Sequence, residues 1–435
     1  MLTLRGHGPS SRRWGVGLSA LALAVVPLAA CGSSDEDTVT LDFFQFKPEA
    51  VGAFDTIIAD FEEENPDIRV VQNHVPNADT AIRTMLVKDK TPDVLTLNGN
   101  GNFGRLAQAC VFADLADLSV ADSINPEAQQ VAQDLGTCED QVNGLPFANN
   151  ASGVIYNTQV FEDNDLEPPQ TWEELDEVVA TLAETDVVPL YGTFAEPWTL
   201  LPTFNNLAGA MQPQDFWSQM RAEGEDVGPD SEASFEKDFV PIADRFNQFL
   251  SYTQDNADSR SYTDGNRAIA EGRAAMLAQG SYTLPAIRDI NEEAPLGMFV
   301  MPVSDDPQDN VLVSGVDVAV AVGADTEYPD QARRFVEFLF SDEVVSQYAE
   351  AQSALSPLAD APQNDDPALE GVVPFFEDGR LTGYADHQIP AAVNLEAEVQ
   401  TFALDGNEES FLSGLDEEWR KVARRTVDFS EGGQS

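Results

Sequence analysis

The chain has 435 residues, of which 43% are hydrophobic, and its 76 acidic against 23 basic side chains give a formal net charge of −53. That balance excludes nucleic acid and anionic lipid as partners, because both repel an acidic surface. The length exceeds what one hydrophobic core fills, so two domains are expected.

Arg5, Arg12 and Arg13 precede an apolar run over residues 14–30. The run contains Gly15, Gly17 and Pro27 and is 17 residues long, short of the roughly 20 that span a bilayer. It reads as a signal peptide, residues 1–30, and without it the charge is −56, since that segment holds three arginines and no acid. Arg12-Arg13 fits either twin-arginine export or an ordinary basic leader. Residues 28–32, LAACG, resemble a bacterial lipobox, in which the cysteine, here Cys31, is acylated and begins the mature chain. A plain cleavage site beside an incidental cysteine is the alternative. Residues 31–37 read as a flexible tether. The expected location is therefore the extracellular face of the cell membrane, lipid-anchored. Outside the cytosol, Cys110 and Cys138 become a candidate disulfide, with two free thiols as the other reading. The acids are scattered rather than blocked, as suits a solvated surface in saline or alkaline surroundings.

From residue 38 the pattern alternates strand and helix. Residues 39–44 form a predicted strand, and Phe54, Ile57, Ile58 and Phe61 follow at helical spacing up to Asn65-Pro66. Residues 68–75 make a second strand, 78–88 a helix and 94–97 a third strand. Helical crossovers imply a parallel sheet whose ligand edge lies at the C-terminal strand ends. The loops 45–47, 76–77 and 98–100 are thereby brought to one edge. Further along, Thr171 and Glu174 form a capping-box pattern opening a helix to about residue 184. Residues 187–191 read as strand, 199–210 as helix, and 221–238 as an exposed polar connection. Helices are predicted at 267–272, 284–293, 329–340 and 408–426, and strands at 274–278, 298–301 and 316–322.

Residues 99–104, GNGNFG, match the dinucleotide-binding glycine fingerprint in form. The context argues against it. The strand before them is third in its region, the helix after them is cut short near Cys110, and the following FADLADLSVADS offers no strand to place an acid on a ribose. The glycines retain a second use, a tight turn at the ligand edge that lets Asn98 and Asn100 face a cleft.

Six segments then occur in one order: FEEENPDIRVV (61–71), TPDVLTL (91–97), NGLPFANNASGVIYN (143–157), PPQTWEEL (168–175), EGRAAMLAQGSYTL (271–284) and YPDQARRFVEFLFSDE (328–343). Together they resemble the extracellular solute-binding proteins of ATP-driven importers, most closely the group that delivers sugars and oligosaccharides. The resemblance covers nearly the whole chain after the leader. It implies an α/β fold of the two-lobed periplasmic-binding-protein type (type II-like), with discontinuous lobes joined by hinge strands. Lobe 1 would be 38–146 plus 303–355, and lobe 2 would be 147–302 plus 356–430, with crossings near 146–156, 302–318 and Ser356-Pro357. It also implies an ABC permease as partner and a monomeric binder. No catalytic residue, metal or cofactor is expected.

A sugar offers hydroxyls to planar polar groups and C–H faces to aromatic rings. Trp198, in the proline-flanked FAEPWTLLP, and Tyr282, after Gly280-Ser281, are the leading aromatic candidates, with a structural wedge and core packing as their respective alternatives. Phe46 is a weaker one. Gln45, Asn98, Asn100, Asn149 and Asp317 are the polar candidates; Asp317 interrupts an apolar run and must be paired, solvated or ligand-facing. A polyamine or phosphorylated solute remains an alternative ligand, with Lys47 the basic group at hand. An exported two-carboxylate glycosidase is the reading from another class.

Overall fold

The computed structural model describes residues 38–431 apart from 48–49, 76–77, 87–89 and 391. The leader, Cys31, the tether and the 76–77 loop lie outside the described residues. Among the described residues nine strands form one mixed sheet: β1 (Val39–Gln45), β2 (Ile68–His74), β3 (Val94–Leu97), β4 (Leu145–Asn157), β5 (Val188–Leu190), β6 (Ala274–Gly280), β7 (Leu296–Phe299), β8 (Leu312–Val322) and β9 (Leu381–Thr382). The order is β2-β1-β3-β8-β4-β6-β5, with β7 also on β4 and β9 on β8. The fold is α/β and two-lobed, as expected.

Local chemistry accounts for the element ends. The helix Val51–Glu64 buries Phe54, Ile57, Ile58 and Phe61, and Asn65 stops it by donating its side-chain amide to the Phe61 carbonyl at 2.9 Å. The helix Trp172–Ala183 opens on the reciprocal Thr171–Glu174 capping box. Parallel pairing holds for β1 with β2 and β3. It fails at β3–β8, which is antiparallel: β8 enters from the other side of the molecule rather than through a crossover helix, so the all-parallel expectation does not extend to it.

β4 and β8 pair antiparallel and run from one side of the molecule to the other. Leu145 and Phe147 of β4 and Val318 and Val320 of β8 join a core built on Phe43, Phe54 and Phe335. At the far end, Val154 packs with Trp172, Phe204 and Phe246, and Ile155 and Leu312 with Leu277 and Leu284. The ladder is irregular midway: Phe147 is passed over between the Pro146–Ala319 and Ala148–Val318 pairs, and Asp317 between Ala148–Val318 and Asn149–Val316. Each is an unpaired residue at a bulge, a device that re-aims a side chain.

Residues 221–238 are not an exposed connection. Val227, Ala233 and Phe235 are buried, and Ser234 is fully buried. The long helix Glu408–Glu431 covers this stretch: Phe235 lies 6.3 Å from Trp419 between ring centroids, and the Trp419 indole donates to the Met220 carbonyl at 3.0 Å. Polar composition hid a segment whose few buried apolar residues join a core with Trp419 of that helix. Helices at Pro126–Asp134, Val240–Leu250 and Leu395–Asp405 also lie beyond the sequence expectation. No helix among the described residues is long and apolar enough to cross a membrane.

Cys110 and Cys138 are disulfide-bonded, with Cα atoms 5.0 Å apart and a sequence separation of 28. The bond ties the end of the helix Gly101–Gln108 to the segment leading into β4. Reduction is expected to lower unfolding free energy by roughly 3–4 kcal/mol; coincident urea midpoints with and without reductant would reject this. Asp416 is fully buried, accepts from the Phe235 and Glu236 N–H groups at 2.9 and 3.2 Å, and burial pushes its carboxyl up to about 6. A raised carboxyl contributes stability that is present below its unfolded value of 3.8 and lost as pH rises through about 6. Asp416→Asn should therefore flatten the fall in thermal midpoint between pH 4 and 6; parallel wild-type and variant curves would refute the assignment.

Candidate functional site

The midpoint of the β4–β8 ladder is where the predicted polar residues gather. Asp317, aimed by its bulge, meets Lys47 from the loop after β1, with Nζ to Oδ2 at 2.5 Å and both side chains about nine-tenths buried. Gln45 at the end of β1 is fully buried; its amide donates to the Lys47 carbonyl at 2.7 Å and to Gln72 Oε1 at 3.3 Å, and its own Oε1 has no partner among the described residues. Gln45 thus holds the loop that carries Lys47. Phe46 is half-buried against the cores on both sides of the sheet.

The 98–100 turn is fastened to the same place. The Gly99 N–H donates to the Val316 carbonyl at 2.9 Å, and a Cβ on Gly99 would lie 2.5 Å from Val316 Cβ, so no other residue fits. Asn98 is half-buried, its carbonyl accepting from Asn100 N–H at 2.9 Å. Asn100 caps the helix Gly101–Gln108, its Oδ1 accepting from the Asn102 and Phe103 N–H groups. Phe103 stacks on Phe112 inside a core.

Asn149 is fully buried; its backbone exchanges hydrogen bonds with Leu355 and its Nδ2 reaches Ser314 Oγ at 3.5 Å, while Oδ1 has no partner among the described residues. Its neighbour Asn150 carries the outward contact, accepting at 2.7 Å from the Tyr384 hydroxyl. The Tyr384 ring lies over Gly315, where a Cβ would come within 2.1 Å of it. Burial first, and then Tyr282, Asp386 and Asp317 nearby, hold the Tyr384 phenol well above its ordinary range. Tyr282 is raised by burial and by the same two acids, and donates to Gln279 Oε1 at 3.0 Å. Both remain neutral hydroxyls.

Trp198 and Tyr262 complete an aromatic row, with ring centroids 4.9 Å apart at 58°. Trp198, Tyr262, Tyr282 and Tyr384 are each partly exposed, whereas most large aromatics here are buried. Asp386, in the short helix Ala385–Gln388 that Tyr384 opens, has an Oδ1 without a hydrogen-bond partner among the described residues; His387 Nε2 lies 4.0 Å from it. Asp386 and Asn100 also line a cleft of about 1140 Å3, walled by the helix Gly101–Gln108 on one side and by Arg221, Gln388 and the 393–396 segment on the other. That volume suits a ligand at the upper end of ordinary small-molecule sites.

The structure therefore brings Asp317, Tyr282, Trp198, Asn98 and Asn100 to one region and sets Gln45 and Asn149 in the layer beneath. Tyr262, Tyr384, Asn150 and Asp386 escaped the sequence reading. Tyr384 carried one usable signal, an aromatic beside a glycine in the polar stretch LTGYADHQ; the others had none.

Among the described residues no group of three or more His, Cys, Asp or Glu could hold a metal ion. Removing Asp317 takes an ion-pair partner from the buried Lys47 ammonium. Asp317→Ala should cost about 3 kcal/mol, and the double variant Lys47→Met/Asp317→Ala less than that; a double variant weaker than the single one in urea unfolding would contradict it.

Residues 47–346 match the family described as bacterial extracellular solute-binding protein. The chain is 28% identical over 356 residues to a multiple sugar-binding protein of Streptococcus mutans, covering 79% of this chain and 80% of that one. It is 20% identical to the melibiose/raffinose/stachyose-binding protein MelE of Bacillus subtilis, covering 84% and 85%. Among solved structures it resembles apo RafE from Streptococcus pneumoniae, at a TM-score of 0.77 and 23% identity over 89% of this chain and 98% of that one.

Proposed function

We propose that this chain, which belongs to the bacterial extracellular solute-binding protein family, captures a sugar, in particular an oligosaccharide, between its lobes and delivers it to the permease of an ABC importer. The observation that carries the reading is the row of partly exposed rings, Trp198, Tyr262, Tyr282 and Tyr384, set beside hydroxyl and carboxylate groups. Rings cover the C–H faces of pyranoses, and neutral phenols and amides bond the hydroxyls. The sugar-binding relatives support the same ligand class. Trp198, Tyr282, Tyr384, Asp386 and the Asn98–Asn100 turn are the proposed contacts, with Asp317, Gln45, Phe46 and Asn149 supporting them.

The charge arrangement weighs against the alternative ligands. Lys47 is neutralised by Asp317, so it offers little to a phosphate. A polyamine would need several unspent carboxylates, and Asp317 is already committed. The chain is a binder in this reading, not an exported glycosidase. Residues 1–30 would be its leader, Cys31 its lipid anchor and the outer face of the membrane its location. The lobes would be 38–146 plus 303–355 and 147–302 plus 356–430, closing by a hinge on the β4–β8 crossing, and the monomer would be the working unit.

Isothermal titration against mono- to tetrasaccharides, with spermidine and glycerol phosphate alongside, tests the ligand class. Binding to a sugar is expected; tight binding to either comparison ligand with no response to any sugar would sink the reading. Trp198→Ala should weaken the best sugar at least about tenfold, or 1.4 kcal/mol, and an unchanged affinity removes Trp198 from the site.

A further inference from the structure

Glu196 stands between two of the rings and belongs to none of the contacts proposed above. Its Oε2 accepts from Trp198 Nε1 at 3.1 Å, and its Oε1 accepts from the Tyr262 backbone N–H at 2.8 Å. The second bond is made to the first residue of the helix Tyr262–Ala270, whose opening N–H groups have no partner inside the helix. A carboxylate is favoured there by the helix dipole as well. One side chain therefore ties the turn bearing Trp198 to the helix bearing Tyr262, across 66 residues of sequence.

The rest of the turn holds without it. Thr199 Oγ1 donates to the Thr193 carbonyl at 2.7 Å, and the backbone pairs Phe194 with Ala257 and Ala195 with Arg260. The Tyr262 hydroxyl is fixed separately on Thr283 Oγ1 at 3.1 Å, and Ser261 and Asp264 close their own capping box. What the Glu196 carboxylate adds is the orientation of the indole. Trp198 has its N–H satisfied at the edge facing Glu196, and its ring is held 4.9 Å from Tyr262 at an angle of 58°.

We infer that Glu196 is a positioning residue, which locks the Trp198 indole against Tyr262 so that the platform for a sugar's C–H face exists before the ligand arrives. The inference rests on the sugar reading for its ligand, while the orientation it assigns to Trp198 is independent of that reading. A ring already fixed loses little rotamer freedom on binding, and affinity rises by the cost avoided. A platform of set tilt also favours sugars whose C–H face matches it over their epimers.

The test is a double-mutant cycle on the full chain with Glu196→Ala and Trp198→Phe, read by titration of the best-binding sugar. Phenylalanine keeps a ring but has no N–H for the carboxylate to hold. Glu196→Ala should weaken binding about tenfold in the native background and less than about twofold on Trp198→Phe. It should also flatten the discrimination between epimeric sugars, and Glu196→Gln, which keeps an oxygen for the indole, should restore part of the affinity. An equal loss in both backgrounds means that Glu196 acts on the ligand itself, and no loss in either means that it does nothing for binding; both overturn the inference. In 5-fluorotryptophan-labelled chain, Glu196→Ala should broaden or split the resonance that Trp198→Phe removes. If no sugar binds, the ligand reading falls, and this signal still decides the positioning role: an unmoved resonance overturns it.

Discussion

The β4–β8 ladder runs between separate cores, and the candidate site depends on where that ladder is imperfect. β4 and β8 are long enough to put one end of each strand in each core. A regular ladder would leave every side chain alternating between faces. The bulges at Phe147 and Asp317 break that alternation midway, where the lobes part. Asp317 is thereby turned to Lys47, Gly315 leaves room for the Tyr384 ring, and Val316 offers its carbonyl to Gly99. Three loops from distant parts of the chain are thus anchored on three consecutive residues of one strand, 315–317. A hinge that bends at this point moves the anchored loops with it.

Much of this was legible in the sequence, for stated reasons. The helix Val51–Glu64 and the Thr171 capping box follow from spacing and cap chemistry alone, and both form. Asp317 was visible as an acid inside an apolar run, which burial forbids unless the charge is matched. Its partner was not, because Lys47 is 270 residues away in sequence. Asn100 was visible as a polar residue at a loop, but its side chain serves the helix that follows, and a cap and a ligand contact look alike in a sequence. Tyr384 and Asp386 sit at and within a single four-residue helix, Ala385–Gln388, too short for a periodicity to mark them. The 221–238 stretch misled because its buried residues are few and are covered by a helix from the far end of the chain.

The glycine-rich turn shows how one motif can serve two kinds of site. In a dinucleotide fold the glycines admit a pyrophosphate to the helix N-terminus. Here the backbone that approaches Gly99 is the chain's own strand, at Val316. The helix N-terminus behind it is occupied by Asn100 Oδ1, which accepts from the two N–H groups an anion would need. The same sequence economy, small residues where something must come close, has been spent on packing the turn to β8.

Net charge and site charge also separate. A chain at −53 draws cations toward its whole surface, yet the acids near the rings are committed locally: Asp317 to Lys47, and Glu196 to the Trp198 indole and the Tyr262 N–H. Asp386 Oδ1 is a buried carboxylate oxygen without a hydrogen-bond partner among the described residues. One such oxygen beside neutral phenols is too little to fix a polycation, but it suits a hydroxyl, which can donate to Asp386 while accepting from another group. The acidic surface therefore sets the protein's behaviour in its medium, and the ligand is selected by ring geometry and by a few hydrogen-bonding groups that the fold has left unspent.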